Sequence, residues 1–143
     1  MNKPSIWYWV IGVLGLLWNF GGAYDYVMTR TANPAYMAQY PQELLDYWYD
    51  MPVLMDITWP LAVWGGVLGW ILMLWRRKWA VPVFIVSLVA MIVNFGYTAI
   101  DGGLAMQAEF MGPFAYVFTG LIVLGALFAV WFSRREAAKG TLS

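Results

Sequence analysis

Asn94, Thr98 and Asp101 follow one another at i, i+4 and i+7, with Tyr97 beside them. That spacing sets the three polar groups on one face of a helix. Asn19 and Tyr26 form a similar i, i+7 pair earlier in the chain. Both sets lie in long apolar runs, where polar side chains are costly and face a bundle interior or a water-filled cavity. Their chemistry is binding. Amide, hydroxyl and carboxylate groups from Asn19, Tyr26, Asn94, Thr98 and Asp101 would line an outward-facing cavity for a small polar solute or a cation. A plainer use is an interhelical hydrogen bond between the two Asn, about 0.6–2 kcal/mol, with the carboxylates reaching surface water.

The absences narrow the chemistry further. The chain has no His and no Cys. It therefore has no Ser-His-Asp triad, imidazole-held haem, thiol nucleophile or Cys-ligated metal. No nucleophile–base pair, phosphate-cradling loop or dinucleotide fingerprint is present. The expectation is a protein that is not an enzyme and holds no cofactor and no metal. The basic residues are short clusters beside apolar runs, so nucleic acid is not an expected partner.

The elements that carry these residues are membrane helices. Of 143 residues, 62% are apolar, 11% charged and 19% aromatic, with ten Trp. Typical soluble domains are about 45–50% apolar and about 25% charged. Four apolar runs span about Ile6 to Met28, Val53 to Trp75, Trp79 to Ile100 and Pro113 to Phe132. None holds a Lys or Arg, and each is long enough as a helix to cross about 30 Å of hydrocarbon. The fold expected is all-α: one membrane domain, a four-transmembrane-helix bundle. Pro60 lies inside the second span and predicts a kink in a continuous helix. Gly21-Gly22-Ala23 looks like a cleavage site, but the first span is read as retained.

Charge sets the orientation. Lys3, Arg76, Arg77, Lys78, Arg134, Arg135 and Lys139 fall on one side with a single acid, Glu136. Arg30 stands on the other side against Asp25, Glu43, Asp46, Asp50, Asp56, Asp101 and Glu109. The positive-inside rule places both termini in the cytoplasm, for a multi-pass protein of a bacterial inner membrane. Outside, residues 41–51 form a short amphipathic helix. Leu44, Leu45, Trp48 and Met51 share one face, while Glu43, Asp46 and Asp50 line the other. The segment Ala137 to Ser143 reads as a frayed tail.

Three weaker patterns remain. Asn19-Phe20-Gly21 and Asn94-Phe95-Gly96 recur at similar depths, each followed by an acid, Asp25 or Asp101. This suggests a parallel internal repeat. Trp59 with Trp70, and Trp64 with Trp75, share helix faces and offer rings that stack on sugars or cations. The simpler role of most Trp, including Trp7, Trp9, Trp75 and Trp79, is interfacial anchoring. Ala62 and Gly66, Gly65 and Gly69, and Gly125 and Ala129 sit four apart, which lets helices approach closely. The contact can lie within the bundle, in a homo-oligomer, or in a larger membrane complex.

Several segments together resemble a family of short, four-span bacterial membrane proteins commonly labelled "sugar transporter" or uncharacterised. They are Leu16-Leu17-Trp18-Asn19, the acidic Tyr-containing stretch before Pro52, Arg77-Lys78-Trp79-Ala80-Val81-Pro82, and Val130-Trp131-Phe132 with Lys139-Gly140. This chain departs from the pattern at Thr141, where an aromatic is expected. The resemblance implies a four-helix membrane bundle and supplies no catalytic motif. The function expected is binding or transport of a small polar, sugar-like solute by an oligomer in the lipid bilayer. The alternative is an accessory or assembly subunit of a larger membrane complex without chemistry of its own.

Overall fold

A computed structural model describes all residues, Met1 to Ser143. It is all-helical. The long helices are α1 (Ile6–Arg30), α4 (Val53–Leu74), α5 (Ala80–Ile100) and α7 (Phe114–Ala138). Three short ones, α2 (Pro34–Met37), α3 (Gln42–Tyr49) and α6 (Gly103–Met111), cap one end. The four long helices are each apolar and long enough to cross a membrane. Most of their large apolar side chains point outward, Ile6, Leu14, Leu17, Val86, Ile92 and Leu124 among them. Such a surface is stable against lipid and not against water.

The helices pack in the order α1–α4–α5–α7. α4 is the most enclosed of the four, and it runs unbroken through Pro60. α1 and α7 meet through long side chains: Trp18 on Phe118 at 6.1 Å and Tyr8 on Phe132 at 6.0 Å between ring centres. Trp70 packs edge-on to Phe84 at 5.2 Å. These rings join Tyr8, Met73, Ala80, Ala129, Phe132 and Leu142 in one buried cluster toward the Arg- and Lys-rich end.

The structure departs from the sequence reading in three regions. First, α7 continues past Phe132 to Ala138, because Ser133, Arg134, Arg135 and Glu136 end the apolar run without ending the helix. Second, α6 has no counterpart in the sequence reading. It is too short to span, and the left-handed Gly102 (φ 93°) separates it from α5. The outer amphipathic helix is also shorter than residues 41–51, covering Gln42–Tyr49. Third, the C-terminal segment is docked and not frayed. Leu142 is 1% exposed. Ser143 donates its N–H to the Arg76 carbonyl at 2.8 Å and accepts from the Lys78 N–H at 2.9 Å. Arg76 Nε donates to the Thr141 carbonyl at 3.0 Å.

Candidate functional site

The polar residues of the bundle divide between two places. The first is a small cavity at mid-height, about 40 Å³, walled by all four long helices. Trp18 and Asn19 come from α1, Gly66 and Trp70 from α4, Phe84, Ser87 and Met91 from α5, and Gly125 and Ala129 from α7. Asn19 Nδ2 donates to the Gly15 carbonyl at 2.8 Å, and its Oδ1 lies against Gly66, where a Cβ would collide with it. Ser87 Oγ donates across to the Ala62 carbonyl at 2.6 Å. A water needs roughly 10–15 Å³ of such space, so this chamber takes about two or three waters and no larger solute.

The small residues singled out by spacing serve the interior. A Cβ on Gly65 would come to 2.9 Å from the Ser87 Cβ, and one on Gly69 would enter the Phe84 ring. A Cβ on Gly125 would come to 3.7 Å from Trp18 Nε1, and Ala129 is buried in the core. Ala62 is buried as well and supplies the carbonyl for Ser87.

The second place is an open groove of about 740 Å³ at the acidic end. Glu43, Asp46 and Asp50 from the α3 region line one wall, with Tyr47 and Tyr49. Tyr97 from α5, Asp101 just past its end and Met106 from α6 line the other. Tyr47 bridges the walls, its hydroxyl donating to both oxygens of Asp101 at 2.9 Å each. Asp101 also accepts the Gly103 N–H at 3.0 Å and so starts α6. Gly103 is required there, because the Tyr47 phenol occupies the space of a Cβ. Burial pushes the Tyr47 hydroxyl well above its ordinary titration range, and the Asp101 carboxylate adds to the shift. The carboxylates are spread around the groove, and no three gather to hold a metal ion. The cation of this end, Arg30, is engaged with Asp56 at 2.9 Å.

A parallel tether holds the α2 region. Tyr36 donates its hydroxyl to Asp25 at 2.5 Å, and Tyr36, Tyr40, Trp48 and Phe110 form a chain of aromatic contacts. Burial raises the Tyr36 and Tyr40 hydroxyls, and the nearby Asp25 charge raises both further.

The five residues expected to line one outward cavity do not meet there. Asn19 lies in the central chamber and Asp101 in the outer groove. Asn94 Nδ2 donates to Thr58 Oγ1 at 3.3 Å, and Thr98 Oγ1 to the Asn94 carbonyl at 2.9 Å. Tyr26 packs its ring edge-on against Trp59 at 5.1 Å and Trp64 at 6.4 Å. The cause is stagger. Asn19 meets α4 at Gly66 and Asn94 meets it at Thr58, about 12 Å apart along the helix. The two Asn-Phe-Gly triplets therefore sit at different depths, and Ser87 is level with Asn19. The signal for Ser87 is a hydroxyl with only apolar residues on either side from Trp79 to Val93. Tyr47 carried no signal among its neighbours.

Searches against protein-family models, curated proteins and solved structures find no match for this chain.

Proposed function

We propose that the acidic-end groove captures a small, polar, sugar-like solute. The observation that carries this is the lining. Carboxylates at Glu43, Asp46, Asp50 and Asp101 stand beside the rings of Tyr47, Tyr49 and Tyr97 around about 740 Å³. Carboxylates accept hydrogen bonds from hydroxyl groups, and tyrosine faces stack on the apolar faces of sugar rings. Ligand sites commonly measure about 300–1,000 Å³. The choice of a sugar follows the expected kinship with four-span proteins labelled sugar transporters. The chamber of about 40 Å³ at mid-height is too small to hold a sugar, and this reading puts the transport path between copies in an oligomer.

The test is a thermal-shift and calorimetric titration of the purified protein with glucose, galactose and choline. Saturable binding of a sugar, lost in Asp101→Asn, is the expected result. Binding of choline alone would make the solute a cation. No binding by any of the three would refute solute capture.

A second reading, an accessory subunit, draws support from Gly21, Gly22, Gly96 and Gly120, beside which no other atom packs. Flat glycine surfaces admit another helix closely. The mass of the complex extracted from native membranes in mild detergent separates the two readings. A homo-oligomer favours solute capture, and a larger assembly favours the subunit.

The charge asymmetry supports insertion in a bacterial inner membrane with both termini cytoplasmic. The chain lacks Cys, so single cysteines at Asn2 and at Thr31 report sidedness directly. An impermeant maleimide applied to intact cells should label only the latter.

A further inference from the structure

The basic end is held together more firmly than a loose turn and two termini require. Asn2 donates its backbone N–H to the Gly140 carbonyl at 2.9 Å and its amide to the Lys139 carbonyl at 2.5 Å. Arg76 holds the left-handed φ of 59°, and its guanidinium donates to the Asn2 and Thr141 carbonyls. Ser143 pairs with the turn on both sides of Arg77. Glu136, the one acid here, is 5% exposed and is engaged by Lys139 at 2.8 Å and Thr141 at 3.0 Å.

This stitching leaves Lys3, Arg77, Lys78, Arg134 and Arg135 exposed, and no acidic side chain pairs with any of them. Arg135 lies over the Trp131 ring at 5.3 Å. Like charges on a tied frame repel one another, and a fixed layer of anions relieves the repulsion. The exposed indoles Trp7, Trp75, Trp79 and Trp131 stand at the same end. Indoles of this kind settle at headgroup level, which puts the free cations beside lipid phosphates.

We propose that this platform is a binding surface for anionic phospholipid, with Arg77, Lys78 and Arg134 as its principal headgroup contacts. Charge selects the lipid and the indoles hold its glycerol and upper acyl region. The frame is preorganised, so little ordering cost falls on binding.

The test uses the full chain, stripped of lipid in neutral detergent. Phosphatidylglycerol and phosphatidylcholine of matched chains are titrated, with bound lipids counted by native mass spectrometry. Phosphatidylglycerol should bind at least about tenfold more tightly, because each basic residue near an anionic surface is worth about fivefold. The exposed triple variant Arg77→Gln, Lys78→Gln, Arg134→Gln should lose about a hundredfold by the same measure. Arg77→Lys with Arg134→Lys keeps the charge and should keep the preference. Equal affinity for the two lipids, or a triple variant that binds like the parent, overturns the proposal. Free glycerol phosphate competing as well as the lipid also overturns it, since the surface would then hold a soluble anion.

Discussion

Gly15→Ala is the most direct probe of how closely α1 and α4 approach. The added Cβ would stand 2.5 Å from Trp70 Cζ2 and 2.6 Å from Trp70 Cδ2. Relaxed carbon contacts lie near 3.5–4.0 Å, so ring and helix must separate by about 1 Å or more. Trp70 has little room to retreat, bordering only the chamber of about 40 Å³. It is 3% exposed and lies between Phe84 at 5.2 Å and Phe132 at 6.3 Å. The strain falls on the α1–α4 spacing and should cost about 1–3 kcal/mol, the usual range for an overpacked core. The matched control is Gly21→Ala on the same helix. Nothing beyond its own stretch of helix lies within 4 Å of its new Cβ, and Ala gains about 0.5–1 kcal/mol of helix propensity over Gly. Reversible unfolding in mixed micelles, followed by tryptophan fluorescence, measures both. Equal stability of the two variants, or a larger loss at Gly21, would refute the packing described for α1.

Leu142→Ala removes a side chain that is 1% exposed and should cost about 2 kcal/mol, the low end for buried leucine; the variant should also show faster amide hydrogen exchange at Thr141 and Ser143 than the parent. Tyr47→Phe deletes the donor to both Asp101 oxygens and should cost about 1 kcal/mol at this exposed site. Its clearest sign is faster proteolysis within residues 31–52 at unchanged helix content. Tyr36, Tyr40 and Tyr47 all bind their phenolic protons more tightly when folded. Their contribution to stability is therefore complete below the unfolded value near pH 10 and falls as pH rises above it. Tyrosinate absorbance should lag behind that of unfolded chain, and stability should decline over the same interval. A single titration at the ordinary tyrosine value, with no loss of stability, would contradict the partial burial and carboxylate contacts of these hydroxyls.

Membrane residence, four spans and an all-α bundle follow from composition and run length. Both are additive along the chain and need no knowledge of what touches what. The separation of basic from acidic ends is equally local, since charges collect wherever an apolar run stops. Polar partners are another matter. Helical periodicity places Asn94, Thr98 and Asp101 on one stripe, but the stagger of neighbouring helices decides which level of α4 each polar group meets. That stagger came from the fit of Ser87 against Gly65, Phe84 against Gly69 and Trp70 against Gly15. It left Asn19 in a small interhelical chamber and Asp101 in an open groove. The docked tail and α6 escaped detection because their stability comes from distant partners. Leu142 is buried because it joins a cluster drawn from all four long helices while Ser143 pairs with the Arg76 turn, and α6 begins only where Asp101 turns back to accept the Gly103 N–H.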